Sequence, residues 1–331
     1  MNSDIVISTR IRLARNIKDF PFPKRLSQQG KHKIIEKVRY AIENSNSSIA
    51  SDFTFIDMSN LTPTQRVSLV ERHLVSPEFV SDIDGRGLLV SKDESFCIMI
   101  NEEDHIRLQV ITKGLSIEQA YDIADKLDTL LDENLDFAFD QKLGYLTQCP
   151  TNLGTGMRAS VMLHLPSLEK SRVISRISDN LSKLGLTIRG AYGEGTEPKG
   201  SMYQLSNQVT LGISEKSAIE NLKNIALQLV YQEEQTRERL CKSIDVRDSI
   251  ARSLGILKTA LVINHDEALE LLSNVRLGIE SGQFAEFSLE TIDKLMRDVE
   301  PATLTVNSGK NLSVQERDIE RATLIRNILN N

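Results

Sequence analysis

The sequence predicts an α+β protein with a mainly antiparallel sheet flanked by helices, followed by an all-α C-terminal domain. Up to about residue 215, short β-rich runs alternate with helical patterns. Beyond Ser214 strand signals nearly vanish while amphipathic segments continue. The length of 331 residues adds to this, because single cores usually stop growing at about 250–300 residues and two domains are expected.

Helix is expected over Lys31–Asn44, where apolar residues recur at three-and-four spacing. Ser95–Ile100 and Ile106–Ile111 read as strands. The helix over Ser116–Asn134 opens with Ser116 and, three residues on, Gln119, a capping-box pattern. Two further strands are expected at Ser160–Leu165 and Met202–Gly212. Helices then follow over Ser217–Ser253, Asp266–Gly278, Ser288–Val299 and Ser313–Leu329, with a loop at Asn307–Asn311. A composition change near residues 240–245 divides the chain into 1–242 and 243–331.

Charged residues make up 26 % of the chain and the net charge is -6, so no global basic field points to direct nucleic-acid binding, and any anion site must be local. No basic leader precedes an apolar run and no membrane-length apolar stretch occurs, so a cytoplasmic protein with no membrane association is expected. Three widely spaced cysteines, Cys97, Cys149 and Cys241, without a Cys-x-x-Cys pair, argue against a disulfide framework and a structural zinc site. No residues are assigned to a metal.

Four segments carry the chemistry: Ser8-Thr9-Arg10-Ile11-Arg12, Asn101-Glu102-Glu103-Asp104-His105-Ile106-Arg107, Cys149 to Ser160, and Arg189-Gly190-Ala191-Tyr192-Gly193-Glu194. Arginine stays charged and grips phosphate oxygens with two parallel hydrogen bonds, as a nucleotide's phosphates require. On an extended segment Arg10 and Arg12 share a face, and so would Glu103, His105, Arg107 and Gln109. Carboxylates on opposite sides of a guanidinium can orient it and accept its proton. Gly154-Thr155-Gly156-Met157-Arg158-Ala159 formally fits a dinucleotide-binding pattern but leads into a strand-like run, and no Walker loop is present.

These segments resemble the signatures of the phosphagen (guanidino) kinase family, whose fold is the α+β catalytic domain expected here. The resemblance implies ATP, with Mg²⁺ carried on the nucleotide, and phosphate binding by Arg10, Arg12, Arg107, Arg158 and Arg189. It extends nucleotide contacts to Ser8, Thr9, Ile11, His73, Ala159, Ser160, Val161, Met162, Gly190, Ala191, Tyr192, Gly193 and Glu194. It makes Glu103 the principal catalytic carboxylate, Glu194 its partner and Cys149 an electrostatic aid beside the reacting group. In members that act on free metabolites a helical domain precedes the arginine-rich strand. Here that strand begins almost at the first residue, which implies an acceptor side open to an arginine on a protein.

The C-terminal Arg317-Asp318-Ile319-Glu320-Arg321-Ala322 places two arginines one helical turn apart, able to clamp a phosphate. Resemblance to the protein-directed branch of the family makes Arg317, Asp318, Arg321 and Ala322 an allosteric phosphoarginine pocket in a dimerising domain. It further implies protein substrates with exposed arginine, a zinc-binding activator, a Clp unfoldase-protease and a heat-shock repressor as partners, and a homodimer. Two other readings stay open: a kinase for a free guanidino metabolite, and a non-catalytic adaptor that reads phosphoarginine.

Overall fold

The computed structural model describes residues 4–45, 52–191 and 198–330. Strand β1 (Val6–Arg15) organises the catalytic region because its residues alternate. Ile11 and Leu13 are buried on one side, whereas Ser8, Arg10 and Arg12 on the other are half-buried. β1 lies inside an eight-stranded sheet in the order β2 (Phe53–Asp57), β3 (Gly87–Ser91), β4 (Phe96–Ile100), β5 (Ile106–Lys113), β1, β8 (Met157–His164), β10 (Met202–Asn207) and β9 (Leu186–Gly190). Every neighbouring pair is antiparallel. A separate ribbon joins β6 (Phe139–Asp140) to β7 (Gly144–Tyr145).

Helices α1 (Gln28–Glu43), α4 (Ile117–Leu135) and α7 (Glu215–Leu240) contribute to the main core, where Leu127, Leu131, Leu222 and Leu229 join Ile11, Leu13, Leu108 and Val161. Burying each such side chain contributes about 1.5–3 kcal/mol, which is why this face of the sheet is closed to solvent. Helices α2 (Pro63–Glu71) and α3 (Pro77–Ser81) form a second cluster with Leu88, Cys97 and Met99 on the opposite face. α5 (Pro166–Lys170) and α6 (Ile174–Lys183) connect β8 to β9.

The C-terminal region is all helical: α8 (Ile244–Thr259), α9 (His265–Glu280), α10 (Leu289–Asp298), α11 (Pro301–Ser308) and α12 (Val314–Leu329). It has its own core, centred on Leu272, Val275, Ile292, Leu295 and Ile325. The helix expected over Ser217–Ser253 is two helices. α7 ends at Leu240, and the chain turns through residues 241–243 before α8 begins. The capping box at Ser116 does not form, because Ser116 adopts φ -131 and its hydroxyl turns back to Thr112 and the Lys113 carbonyl. The Asn307–Asn311 loop starts only at Gly309, whose φ of 66 ends α11. The strand expected to reach Gly212 stops at Asn207, and Thr210 instead donates to the carbonyls of Thr151 and Leu153.

The two regions are joined by polar contacts that neither could satisfy alone. Glu71 at the end of α2 accepts the amides of Ala302 (2.9 Å) and Thr303 (2.7 Å), capping α11. Arg276 on α9, 1 % exposed, pairs with Glu280 and Asp293 and donates to the Asp4 carbonyl, while His164 on β8 meets Ser273 at 2.8 Å. No helix among the described residues is long and apolar enough to cross a membrane.

Candidate active site

Antiparallel register gathers the arginines. Arg12 on β1 stands opposite Arg158 on β8 and Gln109 on β5. Directly opposed residues share a face, and so do residues two apart on one strand, so Arg10 and Arg107 join them. Outward from β8, Met162 pairs with Gln204 and Gln204 with Arg189. All five arginines therefore lie on the sheet face away from the main core.

That face is electrostatically expensive without an anion. Burial, then the charges of Arg10, Arg107 and Arg158, push the Arg12 pKa well below its ordinary value. Its Nε is buried and has no hydrogen-bond partner. Burial and Arg107 likewise lower Arg10 to about 10. Arg107 differs: burial opposes its charge, but Glu102 at 2.6 Å outweighs this and raises its pKa. For Glu102 too, burial is outweighed by Arg107 and by the Ser76 hydroxyl, so its pKa falls below the usual carboxylate range. Like charges crowded in a poorly solvated place are stabilised when a polyanion joins them.

The acidic segment is a turn, and this corrects the expectation that Glu103, His105, Arg107 and Gln109 share one strand face. β5 begins only at Ile106, after Asn101 takes φ 63 and the Asp104 carboxylate accepts from Asn16 (2.6 Å) and the Gln148 amide (2.7 Å). His105 is fully buried, its Nδ1 accepting from the Ile17 amide and its Nε2 bonded to the Pro21 carbonyl. Glu102, which sequence reasoning passed over, is the glutamate that braces Arg107. Glu103 is half-buried and accepts from Asn152 at 3.4 Å, which places it against the Cys149–Gly156 loop.

Two glycines hold that loop in place. Gly154 takes φ 107, where a Cβ would lie 2.3 Å from the Thr210 carbonyl oxygen. Gly156 at φ 61 packs on the Ala14 carbonyl at 2.7 Å by the same measure, and its own carbonyl accepts from the Ala14 amide. The formal dinucleotide glycines are thus turn glycines that lead into β8. Cys149 is half-buried with its Sγ 3.0 Å from the Thr151 hydroxyl, whereas Cys97 is buried in the second cluster, where burial pushes its thiol to about 12. Cys241 caps α7.

A cavity of about 500 Å³ opens at the Ser8 end of β1, lined by Ser8, Arg10, His73, Ser160, Met162 and Ala191 together with residues of α9 and α10. His73 follows α2 with φ 60 and donates no charge there. Burial, then Arg10 and Arg297, lower its pKa from 6.5 to about 3. Protonation is therefore easier in the unfolded chain, so His73 withdraws stability as pH falls below about 6.5 and has no such effect above it. In an NMR titration its ring signals are expected to hold still between pH 5 and 8; a midpoint above pH 5 would contradict this placement.

Several predicted nucleotide contacts are not brought to this face. The side chains of Thr9, Ile11, Ala159 and Val161 point into the main core, each 0 % exposed, because alternate strand residues take opposite sides. Gly190 ends β9. Tyr192, Gly193 and Glu194 lie outside the described residues. In the C-terminal motif, Arg321 is 1 % exposed and spends its guanidinium on the Val299 and Ile263 carbonyls and on Asp318 at 2.5 Å. Arg317, one helical turn earlier, is half-buried, and Ala322 belongs to the helical core.

Residues 33–236 match the family model of the ATP:guanido phosphotransferase C-terminal catalytic domain, and residues 243–331 match the protein-arginine kinase McsB C-terminal domain. The chain is 45 % identical over 331 residues to a protein-arginine kinase of Caldanaerobacter subterraneus subsp. tengcongensis, covering 99 % of this chain and 98 % of that one. It is 47 % identical over 329 residues to that of Halothermothrix orenii, covering 99 % and 93 %. Among solved structures, lombricine kinase superposes with a TM-score of 0.63 at 28 % identity over 74 % of this chain and 70 % of that one. A duplicated taurocyamine kinase from Schistosoma mansoni gives 0.61 at 30 % identity over 70 % of this chain, which spans 34 % of that longer protein. The chain belongs to the ATP:guanido phosphotransferase family and, within it, to the protein-arginine kinases, enzymes that use ATP to phosphorylate arginine.

Proposed function

We propose that the arginine face binds the triphosphate with its γ-phosphate toward Glu103 and its nucleoside in the cavity at the Ser8 end. The observation that carries this is the polarity of β1. One end of its arginine row meets the acidic turn and the Cys149 loop, and the other opens on the cavity with its methionine and histidine walls. A protein arginine enters at the Glu103 end. Its nitrogen lone pair attacks the γ-phosphorus, the bond to the bridging oxygen breaks, ADP leaves with that electron pair, and Glu103 takes the proton lost by the nitrogen. The arginines neutralise charge that grows on the phosphate oxygens, and Arg107 is held in position by Glu102.

Glu194 is proposed to hold the acceptor together with Glu103, and Cys149 to tune it electrostatically, roles supported by resemblance. Mg²⁺ is proposed to arrive with the nucleotide, held by its phosphate oxygens, a reading supported by resemblance. Resemblance also supports the cellular reading: a cytoplasmic homodimer under stress control, stimulated by a zinc-binding activator and by phosphoarginine at Arg317, Asp318, Arg321 and Ala322. Its products are marked for a Clp unfoldase-protease, and a heat-shock repressor is inactivated. Incubation of the chain with ATP and an arginine-rich protein, followed by mass spectrometry that preserves the acid-labile N–P bond, is expected to find phosphate on arginine side chains. Phosphate on free arginine but not on protein would overturn the proposal.

A further inference from the structure

Helix α10 presents one face to the cavity. Glu290, Asp293 and Arg297 recur at helical spacing and line it together with Glu300, which caps α11, and Met296 and Leu269 supply apolar surface beside them. Of the carboxylates there, Glu71 is engaged by the α11 amides, Asp293 by Arg276 and Glu290 by Lys113 at 3.5 Å, and Glu300 has the His265 Nε2 3.1 Å away. The Arg297 side chain, by contrast, is exposed, and its guanidinium forms no hydrogen bond or ion pair with side chains of the described residues, although its charge acts on His73, which lines the same cavity. The strands contribute Met162 and Met202 to the same lining. Methionines around a slot of this volume suit a flat aromatic group, and a planar guanidinium can stack on such a group.

We infer that the C-terminal region completes the nucleotide site: Met296 packs against the base, and Arg297 stacks on it from the side opposite the sheet. This deepens the proposed function and rests on its placement of the nucleoside in the cavity. The same helix contacts both the nucleotide and, through Asp293, the buried Arg276 that joins the two regions. Bound nucleotide thus spans the sheet and the helical region.

The test uses the full chain and titration calorimetry with ADP and with inorganic tripolyphosphate, which has no base. Arg297→Ala is expected to weaken ADP about tenfold and leave tripolyphosphate within twofold, to raise the KM for ATP about tenfold and to change kcat less than twofold. Arg297→Lys, with a point charge and no plane, is expected to recover less than half of the loss on a logarithmic scale. Arg10→Ala must weaken both ligands. If Arg10→Ala weakens both while Arg297→Ala changes neither, the inference fails and the site reading stands. If Arg297→Ala weakens both ligands equally, Arg297 binds phosphate and the base contact is wrong. If Arg10→Ala changes neither, the placement of the nucleotide itself falls. Arg297 is solvent-exposed, so an unchanged thermal midpoint is expected and separates binding from folding.

Discussion

Glu103→Gln is expected to slow phosphoryl transfer to protein arginine by about a thousandfold or more while ADP affinity stays within threefold. A guanidinium loses nucleophilicity when protonated, so the carboxylate contributes by fixing its orientation and by accepting a proton as the N–P bond forms. The amide keeps the shape of Glu103 and its neighbour Asn152 but neither the charge nor the basicity. Because Glu103 is half-buried and lies outside the Glu102–Arg107 pair, its neutralisation leaves the arginine face intact. Single-turnover rates and ADP titration check this directly. Turnover above a tenth of normal by the folded variant would remove Glu103 from the chemistry.

Arg12→Met is expected to do two opposite things. Activity should fall at least a hundredfold, because the central cation of the row is lost. The thermal midpoint without nucleotide should rise by roughly 2 °C or more, because a poorly solvated charge, its Nε without a hydrogen bond and pressed by Arg10, Arg107 and Arg158 more than Glu102 relieves, is replaced by an apolar chain of similar length. Nucleotide should then stabilise the native chain more than the variant, since binding shifts the midpoint only as far as it favours the folded form. Thermal scans with and without ADP report both effects. A variant less stable than the native chain in the absence of nucleotide would show that Arg12 serves the fold instead of the ligand.

Part of the site was legible from local pattern. Arg10 and Arg12 sit two apart on an extended segment, and period-two geometry alone puts them together, as observed on β1. The turn character of Gly154 and Gly156 was also readable, because a strand and not a helix follows them. What failed was the extension of that pattern one step too far. The run from Glu103 to Gln109 looks continuous in sequence, yet Asp104 finds Asn16 and Gln148, and these distant partners bend the chain before β5 can start. Spacing pairs Arg317 with Arg321 but says nothing of the Ile263 and Val299 carbonyls to which Arg321 donates. Arg297 gave no local signal beyond lying on an amphipathic helix.

The amino-acid order by itself determined the alternation that makes one strand face cationic, the family motifs, and the change from a mixed to an all-helical region. Only the tertiary structure decided which glutamate braces Arg107, which arginines from distant strands share one face, and which helix lines the cavity. Periodicity follows from backbone geometry within a few residues. Partner choice and burial follow instead from where segments a hundred or more positions apart meet, and from the cost of leaving a charge there without company.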